Sequence, residues 1–469
     1  MRPSRFVISL LLAFVAPTSV LAQEKKALAI EDYITTPIVS DPQLSPDGGL
    51  VAFTVTTPSL EENSTSTRIW LADVSSGETR QVTAMQGNDR APRWSPDGRV
   101  LAFVSTREGG PQIWRMPVRG GDAVKVTSVK EGVVDFIWSP DGKAFFFWTD
   151  VVWGDSTEAA RRSAPWATDA RIFTNLFYRH WNEWRLGVRS HLFRLELASG
   201  TVTDVTPVDR DVPPLALGGR DIAVSPTATE VAIVYNPDSA LATSTNNDVF
   251  VMGPDGSARQ PITTSAGNDH HPIYSPDGRY LAYLAMTTPG FEADRQQLML
   301  YERATGRRLA VTPRWDLSIT DFRWLPDAKA VVAEVEERGG HSIYRIEVPS
   351  GRPTRLISGG TNTNVQLTAG GNVMTFLRST ANRPPEVWTV GVDGKNPRPI
   401  TKVNDARMDG FDVPPAESFG FVGAQGDSVF GWLIKPPGFD PIRKYPLLYL
   451  IHGGPQGAWL DQWHGRWNY

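Results

Sequence analysis

The 469-residue chain contains no cysteine. That excludes disulfides, thiolate metal sites and a cysteine nucleophile. It also lacks a charge excess, with 47 Lys and Arg against 51 Asp and Glu. A balance this even excludes phosphate-driven nucleic-acid binding as a main task. Beyond the first 22 residues there is no apolar run near the ~20 residues that a membrane-spanning helix needs, so no stable membrane insertion is expected. What is abundant is turn-forming: 41 Gly and 37 Pro. With 41% hydrophobic and 21% charged residues, the composition is that of a globular chain rich in turns, which favours an all-β fold.

Residues 1–22 (MRPSRFVISLLLAFVAPTSVLA) have the three parts of a secretory signal peptide. Arg2 and Arg5 form the basic start. Phe6–Ala16 is an 11-residue stretch with Ser9 as its one polar member, and Val20-Leu21-Ala22 forms a small-residue cleavage site. Cleavage after Ala22 removes two arginines and leaves 447 residues of net charge −6. The mature protein is expected to be exported, to the periplasm or the medium, and to be stable there without disulfides.

Internal repeats govern the rest. Ser45-Pro46-Asp47-Gly48 recurs at Ser95–Gly98, Ser139–Gly142 and Ser275–Gly278, with weaker copies at Ser225–Ala228, Leu325–Ala328 and Leu367–Gly371. Pro presets φ for the second position of a type I turn, Asp suits the third, and Gly accepts the left-handed fourth. A β-branched or aromatic run follows each tag, as in Val100–Ser105 and Tyr280–Ala285. A second set of tags marks another strand in each unit: Ile69-Trp70, Ile113-Trp114, Leu192-Phe193, Val249-Phe250, Leu298-Met299, Ile343-Tyr344 and Val387-Trp388. Both sets count seven. The spacing between units is mostly 42–50 residues, so the expected fold over 41–401 is a seven-bladed β-propeller. The repeated Asp residues serve turns; no unit has the spaced carboxylates that calcium needs, and no metal or cofactor is expected.

One step is double length because residues 149–190 form an insertion in the third unit. It holds seven aromatic residues, among them Trp153, Trp166, Phe173 and Phe177. Ile172, Phe173, Leu176, Phe177, Trp181 and Trp184 could share one helical face. Two readings stand: the aromatics pack on a neighbouring surface, or Arg179, Trp181 and Glu183 face a substrate and hold a peptide terminus.

After Thr401 the repeats stop. Residues 23–40 read as an N-terminal segment and 402–418 as a linker. In 419–469, Phe419–Gln425 and Val429–Lys435 read as a hairpin. The apolar run Leu447–Ile451 then leads into His452-Gly453-Gly454-Pro455. Such a run reads as a strand buried on both faces of an α/β sheet. A Gly-rich loop after it suits an oxyanion hole, where a backbone N–H faces a carbonyl with no side chain between.

Signal peptide, Ser-Pro-Asp-Gly propeller and His452–Pro455 together resemble the prolyl oligopeptidase family of serine peptidases. Residues 452–459 (HGGPQGAW), with Trp463, Arg466-Trp467-Asn468 and Arg179-His180-Trp181, are most similar to its dipeptidyl-peptidase V and acylaminoacyl-peptidase branch. The resemblance implies an exopeptidase acting on short peptides by Ser-His-Asp chemistry. In it the propeller limits substrate size and Gly454 supplies an oxyanion N–H. No Gly-x-Ser-x-Gly elbow occurs among the 469 residues. The expectation is therefore that 419–469 is the start of an α/β-hydrolase domain, with the triad beyond Tyr469. That remaining domain would be the chain's own partner, oligomerisation is open, and the fragment by itself should be inactive. The alternative is a non-catalytic periplasmic binding propeller similar to TolB.

Overall fold

The computed structural model describes residues 25–153, 176, 178–185, 187–453 and 457–465. The signal segment, Trp166, Phe173, Phe177 and Gly454 lie outside the described residues.

The repeat tags become turns of the expected chemistry. In the four full copies, Ser45, Ser95, Ser139 and Ser275 each donate from Oγ to the Oδ1 of the Asp two residues on, at 2.6 Å. The fourth-position glycines have φ of 69–78°, where only Gly is free of Cβ strain. Ala228 and Ala328 take the same left-handed conformation in the weaker copies, at φ 57° and 54°.

Each turn joins two antiparallel strands, and two more complete a four-strand meander. Five such sheets cover 38–81, 89–125, 135–204, 222–261 and 269–310. The first sheet opens at Ile38–Leu44, inside the stretch read from the sequence as an N-terminal segment. An eight-stranded sheet covers 319–399. Its two meanders meet at a single parallel pair, His341 and Thr361.

The second strand of each sheet is mostly apolar because it is covered on both faces. Side chains alternate across a strand, so Tyr280–Ala285 serves two cores. Ala282 and Leu284 pack with Phe322, Val331 and Ile346 of the following unit. Leu281, Tyr283 and Ala285 pack with Val249 and Val251 of the preceding one. The same sharing repeats along the chain. At its ends Val39, Phe53 and Val55 of the first sheet pack against Leu377, Val387 and Ile400 of the last. The Arg398 guanidinium donates to the Val74 carbonyl across that seam.

The segment after Thr401 departs from a plain linker. Asp405–Met408 forms a helical turn. Met408 joins Tyr33 and Trp463 in a small cluster, and Phe411 pairs with Lys26. Glu417–Val422 and Ser428–Leu433 form the expected hairpin. The strand expected at Leu447–Ile451 is not formed. Leu447, Leu448 and Ile451 are 80%, 79% and 76% exposed, and no ladder among the described residues includes them. A run suited to burial on both faces needs sheet neighbours on both sides.

Candidate active-site end of the propeller

The first strand of each sheet runs toward its Ser-Pro-Asp-Gly turn, and the second runs back. The connection between second and third strands therefore lies at the end where the first strands begin. Three features gather at that end.

The first is the described part of the insertion. Ala144–Val152 pairs with Val188–Glu196 along its whole length, so the insertion rises from the end of a regular ladder. Instead of a helix, Arg179–His180 pairs with Glu183–Trp184 in a short hairpin. Trp181 turns it, at φ 50°, and is 85% exposed. Arg179 donates to the Trp181 carbonyl at 3.2 Å and so closes the turn with its own guanidinium. The hairpin carries Arg179 and Trp181, with Glu183 at a strand position paired to His180. Its root is Arg185, which sequence reading passed over. Arg185 donates to Asp150 at 3.0 Å and Asp211 at 2.7 Å. Burial raises the Asp211 carboxyl pKa, against the Ser190 N–H and Arg185, which favour the charged form.

The second feature is the segment after the Gly-rich loop. Gly453 is exposed, and a Cβ placed on it would meet nothing within 4 Å. That leaves its backbone open to an approaching group. Downstream the chain is pinned to the propeller. The Asp461 N–H donates to the Gly339 carbonyl at 2.7 Å, and its Oδ1 accepts from the Ala381 N–H at 2.8 Å. Thr361 donates to the Asp461 carbonyl at 2.9 Å. Trp463 stacks on Tyr33, with centroids 4.2 Å apart and planes 2° from parallel. Gly339 and Ala381 sit in second-to-third-strand connections, so this anchor lies at the same end as the hairpin. A cavity of about 220 Å³ beside it is lined by Ile38, Thr361, Leu377, Gln462 and Trp463.

The third feature is a belt of charge on the first strands. The residue seven places before the last residue of each tag is Asp41, Ala91, Asp135, Asp221, His271, Asp321 or Asn364. Asp41, Ala91, His271 and Asn364 sit at bulges with φ of 46–58°. A bulge re-aims a side chain out of the ladder. Arg93 bridges Asp41 at 2.8 Å and Asp135 at 3.0 Å, tying three sheets. Asp321 accepts from His271 at 3.0 Å and from Arg323, and Arg220 reaches it from two sheets away at 3.3 Å. A pair that skips a sheet places these groups near the axis. Buried Glu334 accepts from the Val365 N–H at 2.7 Å. Burial and then Asp321 push the Glu334 pKa up to about 8. The belt was readable as one column of the repeat alignment, mostly acidic, just ahead of the turn tag. Among the described residues, no cluster of three His, Asp or Glu is placed to hold a metal.

A family model described as the TolB beta propeller domain matches residues 22–157. Dipeptidyl-peptidase 5 of Porphyromonas gingivalis is 29% identical over 450 residues, covering 94% of this chain and 65% of that protein. Dipeptidyl-peptidase 5 of Aspergillus fumigatus is 26% identical over 500 residues, covering 96% and 67%. Among solved structures, an acylaminoacyl peptidase in complex with Z-Gly-Gly-Phe-chloromethyl ketone superposes with a TM-score of 0.73. Its identity is 16%, and the match covers 93% of this chain and 64% of that one. The acylaminoacyl peptidase of Pyrococcus horikoshii gives 0.72 at 17% identity, over 94% and 64%. At such identities the structures speak for the fold alone. The chain spans about two thirds of the length of these relatives.

Proposed function

We propose, from the resemblance to the prolyl oligopeptidase family that these peptidase relatives bear out, that the chain is the propeller and oxyanion-loop part of an exported serine exopeptidase. Its substrates are short peptides, cut in dipeptidyl-peptidase or acylaminoacyl-peptidase fashion. The observation that carries the reading is the pinning of the Gly-rich loop's downstream side, through Asp461 and Trp463, onto the propeller end that also bears the Arg179–Trp184 hairpin. A peptide held there would have the propeller on one side and a backbone suited to an oxyanion on the other.

Within this reading Gly454 donates one N–H to the tetrahedral intermediate. Such a donor is worth about 10²–10³ in kcat because it meets charge that appears only in the transition state. The propeller has seven blades. What supports that count is five four-stranded sheets plus an eight-stranded sheet that divides at one residue pair. Residues 419–469 open the α/β-hydrolase domain. The nucleophile lies outside these 469 residues, since none of them forms a Gly-x-Ser-x-Gly.

The experiment assays full-length protein on chromogenic dipeptide and acyl-amino-acid substrates, with a fluorophosphonate as covalent probe. Turnover abolished by the probe is expected for the full-length protein, and neither turnover nor labelling for the 469-residue chain. Labelling of the short chain would overturn the placement of the nucleophile. The match to a TolB-type domain over 22–157 favours a second reading, a binding propeller without catalysis. A full-length protein that neither turns over nor labels would select it.

A further inference from the structure

We propose that the axial belt holds a carboxylate-recognition site built on the free guanidinium fork of Arg220, which captures the C-terminal carboxylate of a short peptide. The proposal deepens the peptidase reading and rests on it for the peptide nature of the ligand.

Arg220 has a fixed backbone and an uncommitted head. Its N–H donates to His271 Nδ1 at 3.1 Å. The preceding Gly219 allows this approach: a Cβ there would stand 2.7 Å from His271 Nδ1 and 3.2 Å from His270 Nδ1. The side chain then spends only Nε on the protein, toward Asp321 at 3.3 Å. Among the described residues, no acceptor receives a hydrogen bond from either Nη of Arg220. The other belt arginines are engaged through those atoms. Arg93 holds Asp41 and Asp135, Arg90 holds the carbonyls of Val133 and Val134, and Arg323 holds Asp321.

Asp321 cannot absorb the spare donors. Its two oxygens already accept from the Phe322 N–H, His271 Nε2, both Nη atoms of Arg323 and Arg220 Nε. That is five donors on a group with about four lone-pair sites. Glu334, the next carboxyl, is pushed toward its neutral form by burial and by Asp321, and it is committed to Val365. Arg220 keeps an open fork among the charged groups of the belt, and a fork of two parallel N–H groups matches a carboxylate. The Arg220 side chain is 44% exposed, so a ligand can reach it. It precedes Ile222–Val224, at the end of the propeller that carries the hairpin and the anchored loop. A terminal carboxylate held on the axis would favour short substrates by charge, in addition to any limit set by size.

The test uses the 469-residue chain and tetra-alanine as probe, by calorimetry or NMR titration at low ionic strength. Three peptides separate the sources of the carboxylate: the free acid, the C-terminal amide, and an amide with one internal Asp. The expected result is that amidation weakens binding at least tenfold, that the internal Asp restores little of it, and that Arg220→Gln removes the preference for the free acid. Arg220→Lys, which keeps the charge but not the fork, should fall between. Equal binding of acid and amide, or no binding of either, overturns the proposal. That comparison needs no variant, so it stands even if Arg220→Gln fails to fold. Because no catalysis is involved, failure here leaves the fluorophosphonate result untouched. A free-acid preference in a protein whose full-length form never labels would support the site and sink the peptidase reading.

Discussion

At the scale of single residues, the belt makes a pH signature. Glu334 is wholly enclosed and faces Asp321, Arg323 and Arg220, with the Val365 N–H on Oε1. Its pKa is raised from 4.5 to about 8. The folded state therefore holds a proton that the unfolded chain releases near pH 4.5. Stability is full below that pH, falls as pH rises toward about 8, and then levels. The slope approaches about 1.4 kcal/mol per pH unit at its steepest. Glu334→Gln keeps an acceptor for Val365 and removes the titration. Denaturant unfolding at pH 5 and pH 8 should find the variant close to the wild type at pH 5 and more stable at pH 8. A variant–wild-type difference that does not change with pH would show that Glu334 titrates normally. Other buried carboxyls, such as Asp269, raised to about 7 mainly by burial, cancel in the difference.

At the scale of elements, the turn tags and the strands after them were legible because local chemistry decides both. A Ser-Pro-Asp-Gly turn satisfies its own hydrogen bonds, and a strand sandwiched between sheets is mostly apolar on both faces. The insertion was legible in position but not in form. Its aromatics fit a helical period, yet 179–184 is a hairpin because Arg185 and Arg179 close it through partners distant in sequence or on the backbone. The Asp461 anchor was invisible for the same reason: Gly339 and Ala381 lie 122 and 80 residues away. Arg185→Ala tests the hairpin's root. Arg185 and Asp211 are 11% and 10% exposed, so removing one leaves an uncompensated charge and should lower stability by about 3–5 kcal/mol. The double variant Arg185→Met, Asp211→Asn should recover part of that loss; no recovery would point to packing instead. Amides of 447–451 have no ladder, so hydrogen exchange there should be fast beside the protected strand Tyr280–Ala285. Equal protection of the two would contradict the exposed geometry.

At the scale of the whole molecule, the seam between first and last sheets differs from every other. Neighbouring sheets elsewhere are joined by the chain itself. The first sheet is built from consecutive strands within 38–81 and the second half of the eight-stranded sheet from consecutive strands within 361–399. Among the described residues, no strand from one chain end completes a sheet at the other. Closure rests on side chains: Val39, Phe53, Val55, Leu377, Val387 and Ile400, the Arg398 contact to Val74, and the Tyr33–Trp463–Met408 cluster over the same end. Loop-closure entropy favours parting where no covalent link holds the two sides, so the ring should open first at this seam. Leu377→Ala removes buried volume from it, and Leu300→Ala removes the same atoms from the core between the fifth and sixth units. Each should lower global stability by about 2–5 kcal/mol. Their local effects should part. Leu377→Ala should raise hydrogen exchange across 38–81 and 361–401 well below the global unfolding midpoint, while Leu300→Ala should raise exchange only in step with global unfolding. If both variants open the molecule uniformly, the seam is no weaker than the rest, and the Tyr33–Trp463 stack and Arg398 supply what the missing covalent link does not.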